Sequence, residues 1–203
     1  MDESCRDFAA SLAAKEPVPG GGGAAAYVGA LGVALCSMVG NFTLGKKAYA
    51  HVEADVEDML HRAEGVRGRL LELVDEDAKA FEPLSRAYGI PKDDPTRSAV
   101  LEEATKAACV APMEMMRQIC QSIDLLQEMG QKGSKMLVSD VGCGALLARA
   151  ALEAASMNVF INTKSLVDRA YADMLEAECD KMLAEYRPKA EAIAADVMHK
   201  VRS

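Results

Sequence analysis

The sequence predicts an all-α fold, a compact bundle of long helices in a single domain spanning residues 1–203, and three observations carry that expectation. Aromatic residues make up only 4% of the chain, Trp is absent, and Ala, Leu, Met, Glu and Lys dominate, a palette that favours packed helices over a β-sheet core. The chain parses into helical stretches with short connections, without an internal repeat, a low-complexity tail or a second domain boundary. At 203 residues it can bury roughly 70% of its unfolded surface, enough for a core that needs neither metal nor disulfides.

Taken in order, residues 2–15 read as a short amphipathic helix. Pro17 to Gly45 contain no charge and read as a glycine loop, Gly20 to Gly23, opening a helix that is apolar on all sides and therefore buried at the centre of the domain. By length this stretch is also the one membrane candidate, but its Gly, Ala, Ser37, Asn41 and Thr43 content favours the buried helix, and no membrane association is expected. Residues 49–88 read as a long helix, broken or bent around Gly65 and Gly68 and kinked at Pro83, and stopped by Gly89-Ile90-Pro91. Asp94 followed by Pro95 reads as an N-cap and first helical position, starting a helix to about Met129. Pro112 should kink that helix, because its ring removes the bond to the Ala108 carbonyl and crowds it. After a connection over 130–139, a helix runs from Asp140, read as its N-cap, to about Asn162. The last runs from near Ser165 to the C-terminus, with Pro188 as a point of disturbance.

Small residues Ala25, Gly29, Gly32, Cys36 and Gly40 fall on one stripe of the central helix. Another helix can approach that stripe closely, either within the chain or from a second subunit.

Charge and cysteine usage exclude several function classes. A net charge of −8 argues against a general nucleic-acid binder, which needs a basic face, so an anionic ligand must be drawn by a local basic cluster. The cysteines, at 5, 36, 109, 120, 143 and 179, form no CxxC pair and have no His partner at metal-ligand spacing. They read as reduced thiols in a cytoplasmic protein, with no metal site expected. His51, His61 and His199 are scattered among polar residues and read as surface positions. Met113, Met115 and Met116 read as plastic core packing. The glycine run is not a P-loop, since no GK[ST] follows and no strand precedes it.

Three groups of residues can carry chemistry. Gly20, Gly21 and Gly22 allow close backbone approach and positive φ, and the helix after them opens with free N–H groups that favour an anion or a carbonyl oxygen. At its far end Asn41, Thr43, Lys46 and Lys47 supply an amide, a hydroxyl and two ammonium groups. Asp77 stands on an apolar helical face with Leu70, Leu73, Val74, Ala80, Phe81 and Leu84, whereas Asp75 shares a face with Glu72, Lys79 and Glu82 and reads as solvated. A carboxylate on an apolar face either exchanges protons near neutral pH, its pKa raised by burial, or caps a neighbouring helix or pairs with a lysine. Asp140, Asn158 and Asn162 lie on a third stripe. The two asparagines, one turn apart, can serve a ligand or a facing helix.

The segments PVPGGGG, MVGNFTLGKKAY, DEDAKAF (Asp75 to Phe81), and SDVGCGALL through NVFINTKSL between Ser139 and Leu166 resemble, in this order, the cyclodeaminase/cyclohydrolase family of folate enzymes. That family includes the C-terminal half of formiminotransferase-cyclodeaminase and stand-alone methenyltetrahydrofolate cyclohydrolases. The chain has Gly23 where the family often has Ser, so a hydroxyl contact there is not implied. The resemblance implies a homodimer, dimerising through helix packing, with sites near the interface and no permanently bound cofactor, a tetrahydrofolate derivative entering as substrate. It implies Asp77 as general acid/base, Gly20–Gly22 at the pterin or reacting region, and Lys46 and Lys47 on the glutamate carboxylates. Asn41, Thr43, Asn158, Asn162 and, less directly, Asp140 would orient the ligand. The expected reaction is formimidoyltetrahydrofolate cyclodeamination, with methenyltetrahydrofolate cyclohydrolysis as the alternative at the same site. A formiminotransferase on a separate chain would suit the first. The competing class is a non-catalytic helical dimerisation or interaction protein, which leaves Asp77 and the glycine loop unexplained.

Overall fold

The computed structural model describes residues 4–203, which contain no strand. Six α-helices follow one another: α1 Cys5–Ala13, α2 Gly21–Asn41, α3 Glu53–Ala87, α4 Arg97–Lys132, α5 Val138–Thr163 and α6 Arg169–Arg202, with short 3₁₀ turns before α3 and α5. The start expected for the first helix, residues 2 and 3, lies outside the described residues. Ser4 caps α1 by accepting from the Asp7 amide at 3.1 Å.

Helix α2 is the hub, packing on α3, α4 and α5, while α6 lies on α4 and α5. Glycine is a poor helix former, costing about 1 kcal/mol per residue relative to Ala, and α2 tolerates it because its neighbours come close. A Cβ on Gly32 would lie 3.1 Å from the Gly144 carbonyl oxygen of α5, and one on Gly29 would lie 3.0 Å from Ile119 of α4. The small-residue stripe is thus filled within the chain. Met113, Met115 and Met116 are buried in the core. The thiols of Cys36, Cys120 and Cys179 are each pushed up to about 12 by burial.

Several boundaries differ from the expectation. Gly21–Gly23 are not a loop but the first turn of α2, with Gly20 as N-cap. None of them has positive φ, which among the described residues belongs to Gly45 alone. Helix α3 runs unbroken through Gly65, Gly68 and Pro83. The glycines face open space, so their cost is small against the packing of so long a helix. Helix α4 starts at Arg97, not Pro95, because the Asp94 carboxylate takes the amide (2.8 Å) and hydroxyl (2.6 Å) of Thr96 and closes a turn first. It continues through Pro112 to Lys132. Asp140 is the third residue of α5 rather than its N-cap. Helix α6 begins later than expected, where Asp168 accepts from the Tyr171 amide at 3.1 Å, and continues through Pro188. A second stretch, Lys135–Thr163, joins α2 in being long and apolar enough to cross a membrane. In α2, 61% of the apolar window is buried inside the domain.

Candidate active site

The site is built where α2 begins. Gly20 offers no capping side chain, so the first amides of α2 have no partner in their own helix. Asp77, half-buried on α3, fills the gap by accepting from the Gly23 amide, the third helical N–H and the usual target of an N-cap side chain. The helix-capping role open to Asp77 in the sequence is therefore realised. Two influences then compete at its carboxyl. Burial disfavours the charged form and the Gly23 amide favours it. Burial is the larger, so the carboxyl holds its proton above its ordinary range.

Gly22 is the glycine this arrangement requires. A Cβ there would stand 2.6 Å from the Asp77 Cγ, whereas one on Gly21 would meet the Asn158 amide at 3.6 Å and one on Gly20 would meet nothing. At Gly23 a Cβ would point at Pro19 and Val74, at 3.5 and 3.6 Å, away from the carboxylate.

Around Asp77 lies a cavity of about 200 Å³. Its walls are Pro17, Val18 and Gly20–Gly22 on one side and Phe81, Ala108, Pro112, Asn158, Ile161 and Asn162 on the other. Asn162 has a specific reason to be there. Its Nδ2 donates to the Ala108 carbonyl at 3.1 Å, the acceptor that Pro112, lacking an amide, leaves without its helical donor. Asn158 Nδ2 donates to the Ala154 carbonyl at 2.8 Å, which leaves its side-chain oxygen available toward Gly21. The cavity thus presents a carboxyl held at elevated pKa, amide side chains and an apolar wall. That set can exchange a proton with a bound group and hold it by hydrogen bonds against an apolar wall.

Of the residues singled out in the sequence, Gly20, Gly21, Gly22, Asp77, Asn158 and Asn162 are brought together. Asn41, Thr43, Lys46 and Lys47 are not. They lie at the other end of α2, ~30 Å away at 1.5 Å per residue. Thr43 is buried there, donating to the Val39 carbonyl at 2.7 Å and accepting from the Ser134 amide at 2.9 Å. Lys46 Nζ donates to Ser134 Oγ at 3.1 Å, so these groups tie the α2–α3 connection to the α4–α5 connection. Asp140, in the first turn of α5, is also remote from the Asp77 cavity, which is lined by the last turns of that helix. Asp75 is half-buried rather than solvated, yet it does not line the cavity. A larger cavity, about 790 Å³, opens between α4, α5 and α6 beside Ser134 and Lys135. It shares no lining residue with the Asp77 cavity, and size alone does not place chemistry there. The walls Pro17, Val18 and Ile161 had no signal in sequence beyond their place in the quoted segments.

Residues 4–181 match the family model described as formiminotransferase-cyclodeaminase. The methenyltetrahydrofolate cyclohydrolase of Methylorubrum extorquens is 41% identical over 204 residues, covering 98% of both chains. The formimidoyltransferase-cyclodeaminase of Rattus norvegicus is 31% identical over 94% of this chain, which spans 36% of that longer protein. The crystal structure of formiminotetrahydrofolate cyclodeaminase from Thermotoga maritima has the same fold, with a TM-score of 0.84 and 30% identity over 99% of this chain and 96% of that one. The matched region contains every residue around Asp77, and the chain belongs to the formiminotransferase-cyclodeaminase family of enzymes acting on tetrahydrofolate derivatives.

Proposed function

We propose that the protein hydrolyses the methenyl bridge of 5,10-methenyltetrahydrofolate to 10-formyltetrahydrofolate, with Asp77 moving the protons. The observation that carries this reading is Asp77 itself, a half-buried carboxyl in a cavity, its pKa raised by burial and its position fixed by the Gly23 amide. The methenyl substrate is a cation, and an opposite charge lowers a carboxyl pKa. A bound substrate therefore converts Asp77 to the base form when a base is needed. Asp77 takes one proton from water as the oxygen bonds to the methenyl carbon, and the substrate becomes neutral. The carboxyl then regains its high affinity for that proton and passes it to the 5-nitrogen as the bond from that nitrogen to the bridging carbon breaks. The remaining hydroxyl proton leaves to solvent as the formyl C=O forms. In this reading Asn158 and the Gly21 and Gly22 amides, which line the cavity, orient the ring.

The sequence put the ammonia-releasing reaction first. The 41% identical relative of equal length, named a cyclohydrolase, moves water ahead of it. The solved relative named a cyclodeaminase supports the second reading, in which the 10-nitrogen attacks the 5-formimino carbon and ammonia leaves, with Asp77 donating the proton ammonia carries away. Offering the purified protein both substrates distinguishes the two. Faster loss of methenyl absorbance with no ammonia from formiminotetrahydrofolate supports the hydrolase, ammonia release supports the cyclodeaminase, and turnover of neither ends the reading.

We include a homodimer in the proposal. The outer row of α5 carries Leu146, Met157 and Ile161, which are 51%, 69% and 65% exposed, and Ile161 also walls the cavity. A second copy on this row would bury it and narrow the mouth of the site.

A further inference from the structure

We propose that Arg97 is the carboxylate anchor of this site, holding the glutamate end of the folate in a groove next to the Asp77 cavity; the inference rests on the folate reading above. At about 200 Å³ the Asp77 cavity falls short of the ~300 Å³ at which small-ligand pockets begin. A folate whose bridging carbon lies at Asp77 must extend beyond it. The expected anchors, Lys46 and Lys47, stand at the far end of α2, ~30 Å from the glycines at 1.5 Å per residue.

A groove of about 220 Å³ lies alongside, lined by Lys92, Arg97, Leu101 and Ser165 among others. Two helices connect it to the first cavity. On α4, Leu101 is seven residues, or about two turns and ~10 Å, from Ala108 of the cavity wall. On the α5 side, the Ser165 hydroxyl donates to the carbonyl of Asn162, another wall residue, at 2.9 Å. Between the two openings lies a small apolar cluster in which Phe81 and Leu101 pack around Leu84, Ala104 and Ala108. Phe81 walls the cavity and Leu101 walls the groove. The aminobenzoyl ring of a folate, which separates its reacting carbon from its glutamate by a comparable distance, has an apolar floor to lie on.

The charges of the groove single out Arg97. Its carboxylates are already engaged: Asp94 with the Thr96 amide and hydroxyl, and Glu102 with the amides of Val167 (2.8 Å) and Asp168 (3.0 Å). Lys106, the cation nearest Glu102, is tied to Asp168 at 2.8 Å. Arg97 donates its Nε to the Ile90 carbonyl at 2.8 Å and has no carboxylate partner among the described residues. Half-buried in the lining of the groove, it keeps both terminal nitrogens outside that one bond, the fork that pairs bidentately with a carboxylate. Lys92, exposed beside it, suits a second carboxylate.

The test compares two ligands on the full-length protein: a reduced folate, and the same pterin–aminobenzoate truncated before the glutamate. Arg97→Ala should weaken binding of the folate by about 10- to 100-fold, the range for a hydrogen bond to a charged group, and leave the truncated ligand unchanged. In turnover, KM should rise while kcat holds. Arg97→Lys should recover part of the loss, and Lys46→Ala with Lys47→Ala should change neither ligand. Equal weakening of both ligands would assign Arg97 a purely structural role through Ile90, and undiminished folate binding would place the anchor elsewhere. Failure of the parent protein to bind either ligand would instead overturn the folate reading, and the anchor with it.

Discussion

Replacing Asp77 with Asn separates the two roles the structure gives this residue, because the amide keeps one role and loses the other. The Asn oxygen can still accept from the Gly23 amide, so the cap on α2 survives. What disappears is the titrating proton. The rate of methenyl hydrolysis should fall by about 10² to 10⁴, the usual contribution of a general acid/base, which is ~3–5 kcal/mol of barrier. Asp75→Asn, outside the cavity, should cost less than about tenfold.

Stability should move the other way. Burial holds the Asp77 carboxyl above its ordinary range in the folded protein, so between the unfolded value, ~3.9, and the raised folded value the native state binds more protons than the unfolded chain. Stability contributed by this group is then complete in acid and is lost as pH rises through the folded pKa. Asn behaves as a carboxyl that never loses its proton. Asp77→Asn should therefore match the parent in acid and exceed it in denaturant midpoint near neutral pH, whereas Asp77→Ala, which removes the cap, should lose about 1 kcal/mol. Denaturant titrations at several pH values, beside the absorbance assay, measure both effects. An Asp77→Asn protein that turns over normally, or that is less stable than the parent at neutral pH, would refute the assignment.

Two further outcomes test the walls of the site. Gly22→Ala should leave the fold intact yet lower kcat, since its methyl must displace the Asp77 carboxylate, while Gly20→Ala, with open space around it, should match the parent; equal rates for the two would remove the close approach from the argument. Asn162→Ala should cost about 1–3 kcal/mol by leaving the Ala108 carbonyl unpaired, and most of that cost should vanish in a Pro112→Ala background, where residue 112 regains an amide to donate. Additive costs in this double-mutant cycle would show that Asn162 does not answer to Pro112.

Much of this was legible in the sequence, and the parts that were not share a cause. Helix type and order follow from composition and periodicity, and Asp77 was legible because a lone carboxylate among Leu70, Leu73, Val74 and Phe81 breaks the pattern of its own face. The helix starts at Arg97 and Arg169 differ from the expectation because the side chains of Asp94 and Asp168, three residues and one residue before them, set the first turn. Lys46 and Lys47 are expected on the glutamate tail from the basic exit of α2, and the helix holds them ~30 Å from the glycines, a separation that spacing along the sequence does not convey. Arg97 carried no signal at all. Its significance depends on the Ile90 carbonyl that orients it and on a groove formed with the α5–α6 connection, neither of which is local in sequence.

Two residues that leave backbone groups without helical partners, Gly20 and Pro112, explain why the site lies where it does. Gly20 leaves α2 without a capping side chain, and Pro112 leaves α4 without one amide. The first creates orphan donors, the second an orphan acceptor, and buried backbone groups of either kind must find partners. Asp77 answers the donors from α3 and Asn162 answers the acceptor from α5. Each answering side chain is polar, is held by its hydrogen bond and lines the same cavity. Local rules broken in two helices thus bring proton-transfer and hydrogen-bonding groups from two others to one place. An ideal α2 with a Ser cap and an ideal α4 with Ala at 112 would be satisfied within themselves and would give Asp77 and Asn162 no reason to be buried there.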